Sequence, residues 1–280
     1  MAALTEGKVA IFGAGGPVGA AAARALCEDY TLRLTDVRPI AEIAAEAKPQ
    51  SPGAPLPAVL PPPHECRVVD VTDYAQVLEA ARGMDALINT SVVRDQLIPA
   101  FHVNLIGAYH VAKAAVEHGI TRIVHTGPQL VCADHRTDYF HDFDVVDDVP
   151  ARPWSGLYGI SKFLGGEVMR VFAERHGLEV VEFHYGNFAS AERVKTSPEN
   201  GLFPFTTAWE DTGEPFLHAL RAPADRFERP LERFHVTSRL PTGKFGASGK
   251  ARRILGWSPK HDLAPLWTRG ESEGVGRWHH

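Results

Sequence analysis

Cysteine is scarce in this chain: Cys27, Cys66 and Cys132 are the three, far apart in sequence. An odd, scattered set excludes a disulfide framework, offers no zinc-type spacing, and suits a reducing, cytoplasmic compartment. Long apolar runs are missing too; none approaches the ~18 residues needed to cross a bilayer. Met1–Lys8 shows no basic stretch leading into an apolar one, so no secretory signal is expected. Positive charge is not in excess. With 29 basic and 34 acidic residues the net charge is −5, which leaves no electrostatic footprint for nucleic acid. The compact basic cluster Lys250-Ala251-Arg252-Arg253 reads as the solvated face of a short helix.

What is present is enough apolar material, 44% of 280 residues, for one large α/β domain with a small appendage. The first 185 residues alternate strand-like and helix-like segments. Strands are expected at Lys8–Phe12, Thr31–Thr35, Cys66–Val69, Ala86–Asn89, Thr121–Thr126 and Leu178–His184. Helices are expected at Pro17–Asp29, Tyr74–Arg82, Gln96–His118 and Tyr158–His176. Such alternation implies right-handed crossovers and a mostly parallel sheet covered on both faces. Two segments break the rhythm. Pro39–His64 holds eight prolines and reads as an inserted loop. Ala133–Pro153 is rich in Asp and His; its His135, Asp138, His141, Asp142 and Asp144 match no standard metal spacing and read as an acidic flap, so no metal is expected. After Gly186 the alternation becomes irregular, which places a small substrate-side subdomain at 187–280 in the same compact unit as the nucleotide-binding part at 1–186.

Directly after the first strand comes Gly13-Ala14-Gly15-Gly16-Pro17-Val18-Gly19, with a helix opening behind it. Glycine permits the tight turn and lets backbone approach a pyrophosphate, while the helix N-terminus supplies free N–H groups and partial positive charge. Asp36 ends the second strand, 17 residues past Gly19. A carboxylate there accepts bonds from both ribose hydroxyls of adenosine and repels a 2′-phosphate, which favours NAD over NADP. Arg38 is the complication, since a nearby arginine tolerates that phosphate. Asp70 and Val71, at the end of strand three, fit either the adenine rim or the cap of the next helix. Tyr158 and Lys162 lie four apart on the face of one predicted helix. An ammonium beside a phenol favours the phenolate, and a phenol so tuned can exchange a proton with a substrate hydroxyl or carbonyl while hydride moves to or from nicotinamide.

With these motifs in this order the chain resembles the extended short-chain dehydrogenase/reductase, or NAD-dependent epimerase/dehydratase, family. The likeness runs from about Lys8 to Pro259. It takes in the glycine turn, Asp36, Asp70-Val71-Thr72-Asp73, Asn104 with Gly107, Arg122-Ile123-Val124-His125-Thr126, the Tyr158–Lys162 pair, Tyr185-Gly186-Asn187 and Leu255-Gly256-Trp257-Ser258-Pro259. The resemblance implies a Rossmann-type doubly wound sheet with NAD as cofactor. It puts Asn89, Thr90, Ser91, Asn104 and Tyr185 on the cofactor side, and Arg94 and Asn187 toward the substrate. It also implies a homodimer packed through helices 96–118 and 158–176. Asp148-Val149-Pro150-Ala151-Arg152-Pro153 and the short C-terminal part are similar to uronate dehydrogenases, which oxidise a free sugar acid.

One departure stands out. The family places Ser or Thr near the end of strand five, to hold the substrate oxygen beside the tyrosine; here that position is Pro128, which has no side-chain donor. Thr126 and Gln129 are the nearest substitutes. Losing such a donor costs about 2.7–4 kcal/mol of transition-state stabilisation. The expected function is hydride transfer on a small sugar or sugar acid. The alternatives are a nucleotide-sugar epimerase or dehydratase and a non-catalytic NAD-binding sensor or scaffold. Arg193 and Lys195 are further candidates to grip an anion or are simply loop residues; Trp209, Trp257 and Trp267 read as packing, with sugar stacking the alternative for Trp209.

Overall fold

The computed structural model describes residues 3–132, 150–153, 155–192, 202, 206–239 and 247–266. Seven parallel strands form its main sheet in the order β3-β2-β1-β4-β5-β6-β9. They are β1 (Lys8–Phe12), β2 (Thr31–Asp36), β3 (Glu65–Val68), β4 (Ala86–Asn89), β5 (Arg122–Pro128), β6 (Glu179–Tyr185) and β9 (Leu231–Val236). A second, two-stranded parallel sheet joins β7 (Asn187–Ala189) to β8 (Thr206–Ala208). The chain leaves β1 toward β2 on one side and returns to β4 on the other. That reversal opens a crevice at the carboxyl ends of β1 and β4, where ligands bind in open α/β sheets.

Both faces of the sheet are buried, which is why its strands are apolar at consecutive positions. Along β1, Val9 and Ile11 enter one core with α1 (Pro17–Leu26), α7 (Glu214–Arg221) and α8 (Ala247–Ile254). Ala10 and Phe12 enter the other, with α3 (Tyr74–Ala81), α5 (Gly107–His118) and α6 (Leu157–His176). The expected long helix over 96–118 is a continuous run of α4 (Leu97–Phe101), a π turn (His102–Ile106) and α5.

One expectation is corrected. The proline-rich segment opens with a helix, α2 (Ile40–Glu46), because Pro39 sits at its N-cap and Ile40 seals against the core; only beyond it do the prolines prevent regular structure. The region beyond Gly186 contributes to the main sheet and to one of its cores. Its β9 pairs with β6 along the whole strand, and Phe216, Phe234 and Trp257 share one core with Val181 and Phe183. The acidic flap cluster at 135–144, Arg193, Lys195 and Trp267 lie outside the described residues.

Among the described residues no helix is long and apolar enough to cross a membrane, and no three His, Cys, Asp or Glu gather as a metal site. The three cysteines are free thiols.

Candidate active site

The glycine turn takes its shape from what crowds it. Gly13 has φ +81°, and a Cβ there would lie 2.7 Å from the Ser91 nitrogen. A Cβ on Gly15 would lie 2.8 Å from Asp36 Oδ2, and one on Gly19 would collide with the Gly13 carbonyl. Only glycine lets β1, the start of α1 and the end of β4 approach this closely. Thr90 Oγ1 seals the contact by donating to the Phe12 and Gly13 carbonyls at 2.9 and 3.0 Å. Gly16 is the N-cap of α1 with Pro17 following, so the first N–H groups of the helix are left without intrahelical partners.

Asp36 accepts from the Gly15 and Val37 N–H groups at 2.9 and 2.8 Å. Burial pushes its carboxyl up, and those two N–H groups act against that rise. The Arg38 guanidinium pairs with Glu46 at 2.9 Å and Glu42 at 3.7 Å on α2. Asp70 makes a local turn by accepting from the Thr72 N–H and hydroxyl, whereas the cap of α3 is Asp73, which takes the Ala75 and Gln76 N–H groups.

A cavity of about 1110 Å³ runs over these groups, across the end of the sheet. It is lined by Gly13, Gly15, Gly16, Pro17, Val18, Gly19, Asp36, Arg38, Asp70, Val71, Thr90, Ser91, Arg94, Thr126, Pro128, Tyr158, Lys162 and Tyr185. These residues come from seven separate segments of the chain. Four expected residues are outside the lining. Asn89 is buried, its Oδ1 accepting from the Ser91 N–H. Asn104 braces from behind: its amide exchanges bonds with the Val93 backbone at 3.1 and 2.7 Å and donates to Ser161 Oγ at 2.9 Å. Gln129 turns inward, buried with neither amide atom partnered among the described residues. Asn187 is half-buried in β7, with Thr206 as its register partner. Gln129 is thus no replacement for the hydroxyl missing at Pro128, and the Thr126 hydroxyl donates to the Asn89 carbonyl at 3.2 Å.

The Tyr158–Lys162 geometry also differs from expectation. The spacing does put both on the cavity face of α6, but the long lysine stem carries its ammonium to the sheet end. There it donates to the Ser91 and Thr126 carbonyls at 2.8 and 3.0 Å. Burial pushes that ammonium down to about 7, against the pull of Glu182. The cation facing the phenol is Arg94, whose guanidinium carbon lies 5.4 Å from the Tyr158 ring centroid. Burial pushes the phenol up and Arg94 opposes it. Tyr185 is buried and its hydroxyl donates to the Thr212 carbonyl at 3.1 Å, so it offers a wall rather than a titrating group.

Several lining or bracing residues carried no sequence signal. Ser161 is the handle through which Asn104 grips α6. Gly165 lets the Asn104 carbonyl pass, since a Cβ there would strike it. Gln50 joins the lining from the proline-rich segment, which crosses to the far side where Trp209 Nε1 donates to Ser51 Oγ at 2.8 Å. Trp209 in turn stacks on Phe188, another lining residue, with ring centroids 4.0 Å apart.

The arrangement fits a dinucleotide. A glycine cradle whose would-be Cβ positions are already occupied and an aspartate at the second strand end suit pyrophosphate and adenosine ribose; Tyr158 and Lys162 lie farther along the same cavity. Comparison with known proteins agrees. Uronate dehydrogenase of Pseudomonas putida is 29% identical over 161 residues, covering 56% of this chain and 51% of that protein. The match thus spans about half the length of that relative. NAD-dependent glucose-6-phosphate dehydrogenase of Haloferax volcanii is 26% identical over 276 residues, covering 94% of this chain and 97% of that one. The crystal structure of uronate dehydrogenase from Agrobacterium tumefaciens superposes with a TM-score of 0.67 at 23% identity, over 92% of this chain and 86% of that one, which shows a shared fold. Residues 9–214, most of the chain, match one family description, and the chain belongs to the NAD dependent epimerase/dehydratase family.

Proposed function

We propose that this protein is an NAD-dependent oxidoreductase that moves a hydride between the cofactor and a small sugar or sugar acid. The observation that carries the reading is that the glycine cradle, Asp36, Tyr158 and Lys162, far apart in sequence, line a single cavity. Oxidation of a sugar hydroxyl removes a proton from oxygen and a hydride from carbon, leaving a carbonyl. Bound NAD supplies the hydride acceptor. Tyr158 Oη takes the proton, and Lys162 holds the cofactor end of the site on its platform of two carbonyls. Asp36 receives the adenosine ribose, and Gly13, Gly15, Gly16 and the first turn of α1 receive the pyrophosphate. Arg94, exposed at the Tyr158 end, faces the substrate.

An acidic sugar is the favoured substrate class. Arg94 offers a cation there, and the two relatives described above are named for a uronate and for a sugar phosphate. We further propose a cytoplasmic homodimer through α4, α5 and α6, supported by apolar side chains left exposed on those helices, Leu97, Ile98, Tyr109 and Val171.

The test is NADH formation across a panel of neutral aldoses, uronates and sugar phosphates. The reading expects turnover, with at least one acidic sugar ahead of its neutral counterpart. A silent panel with stereochemical change in nucleotide sugars would transfer the chain to the epimerase class. Tight NAD binding with no turnover on either panel would make it a non-catalytic NAD-binding protein.

A further inference from the structure

We infer that Arg94 is the electrostatic partner of Tyr158, a positioning residue whose guanidinium, lying over the ring, favours the phenolate. The inference rests on the reading above, in which Tyr158 transfers the proton. It assigns to a loop arginine the role that helical spacing gives to Lys162.

Three observations carry it. The Arg94 guanidinium carbon lies 5.4 Å from the Tyr158 ring centroid, within the range of a cation–π contact. The loop that holds it is fixed, because the neighbouring Val93 gives both backbone groups to Asn104, and Asn104 in turn holds Ser161 on the helix of Tyr158. Arg94 and Tyr158 therefore share one hydrogen-bonded frame. Finally, Lys162 spends its ammonium on the Ser91 and Thr126 carbonyls, and β5 offers no alternative: Thr126 donates to Asn89, Pro128 has no donor, and Gln129 is turned inward.

Among the described residues, the other charged or titratable groups lining this end of the cavity are Asp95 beside Arg94, His102 of the π turn, Lys162 and Tyr185. Tyr185 is locked on the Thr212 carbonyl and pushed well above the ordinary phenol range by burial. Lys162, pushed down to about 7 by burial, is largely neutral at the alkaline pH where a phenol ionises, whereas a guanidinium keeps its charge.

The experiment follows the tyrosinate absorbance of the full-length protein with pH, Tyr158 being isolated as the difference between parent and Tyr158→Phe. Arg94→Met and Arg94→Lys are measured in the same way. The inference expects the Tyr158 signal to titrate about one pH unit higher in Arg94→Met and to return toward the parent in Arg94→Lys. In turnover, Arg94→Met loses kcat/KM near neutrality by about tenfold and recovers part of it at high pH, as the phenolate forms unaided. Arg94 is exposed on a loop, so folding is not at stake, and a melting curve checks this. An unchanged Tyr158 titration in Arg94→Met would overturn the inference. The titration needs no substrate, so it decides the point even where the sugar panel is silent; a Tyr158→Phe enzyme with full activity would instead sink the proposed function.

Discussion

Asn104 Nδ2 donates to Ser161 Oγ across 2.9 Å and thereby joins the loop after β4 to the helix that carries Tyr158 and Lys162. The bond starts from a π turn, a helical irregularity often found at functional sites. Gly165 permits it by letting the turn's backbone press against α6. Asn104→Leu keeps the volume and removes the polar brace. It leaves the Val93 N–H and carbonyl without their partners, at a stability cost of about 1–3 kcal/mol. The larger effect falls on kcat, expected to drop at least tenfold as Arg94 and Tyr158 lose their common frame. Steady-state kinetics with a melting curve separates the two effects.

Cofactor preference depends on where Arg38 points as well as on Asp36. Arg38 lines the cavity, but its guanidinium is held by Glu42 and Glu46 on α2. Exposed ion pairs are weak and salt-sensitive, so this restraint is modest. The double change Glu42→Gln with Glu46→Gln should raise the kcat/KM ratio of NADP to NAD several-fold, and Asp36→Ser should raise it further by removing the carboxylate itself. Kinetics with both cofactors, at low and at moderate salt, checks the order.

Beneath the site lies a buried titratable group whose pH behaviour can be read in advance. His125 of β5 is fully buried with neither ring nitrogen partnered among the described residues, and burial pushes it down to about 3. An unfolded chain takes up that proton near pH ~6.5. Between the two values the unfolded state binds more protons, so His125 makes stability fall as the pH drops from about 6.5 toward 3. His184 acts in the opposite sense. Burial lowers it, yet Glu182 at 3.3 Å and Cys132 hold it above the ordinary range, so its stabilisation is lost as pH rises. The difference between parent and His125→Phe isolates the first effect: denaturant midpoints of the variant should decline less steeply through that acid window.

How much of this was legible in the sequence follows from how local each signal is. The glycine turn, Asp36 and the alternation of strands and helices to β6 are written in short windows, and the fold follows them. The strand β9 was not legible. Its Glu232, Arg233 and His235 look like a solvated loop until Glu182 of β6 and Lys250 of α8 supply buried partners from distant segments. Tyr158 and Lys162, four apart on one helix, both line the cavity, but spacing carries no information about the carbonyls that capture the ammonium. The missing donor at Pro128 was visible in the sequence; the inward turn of Gln129 and the approach of Arg94 depend on loop geometry that no periodicity encodes.

The most direct test replaces one oxygen atom. Tyr158→Phe is compared with the parent for NAD affinity and for NADH production on whichever sugar of the panel turns over best. The account predicts unchanged cofactor binding and a loss of kcat of about 10²–10⁴, the range of a proton-transferring side chain. NADH production at the parent's rate by the phenylalanine protein would contradict it.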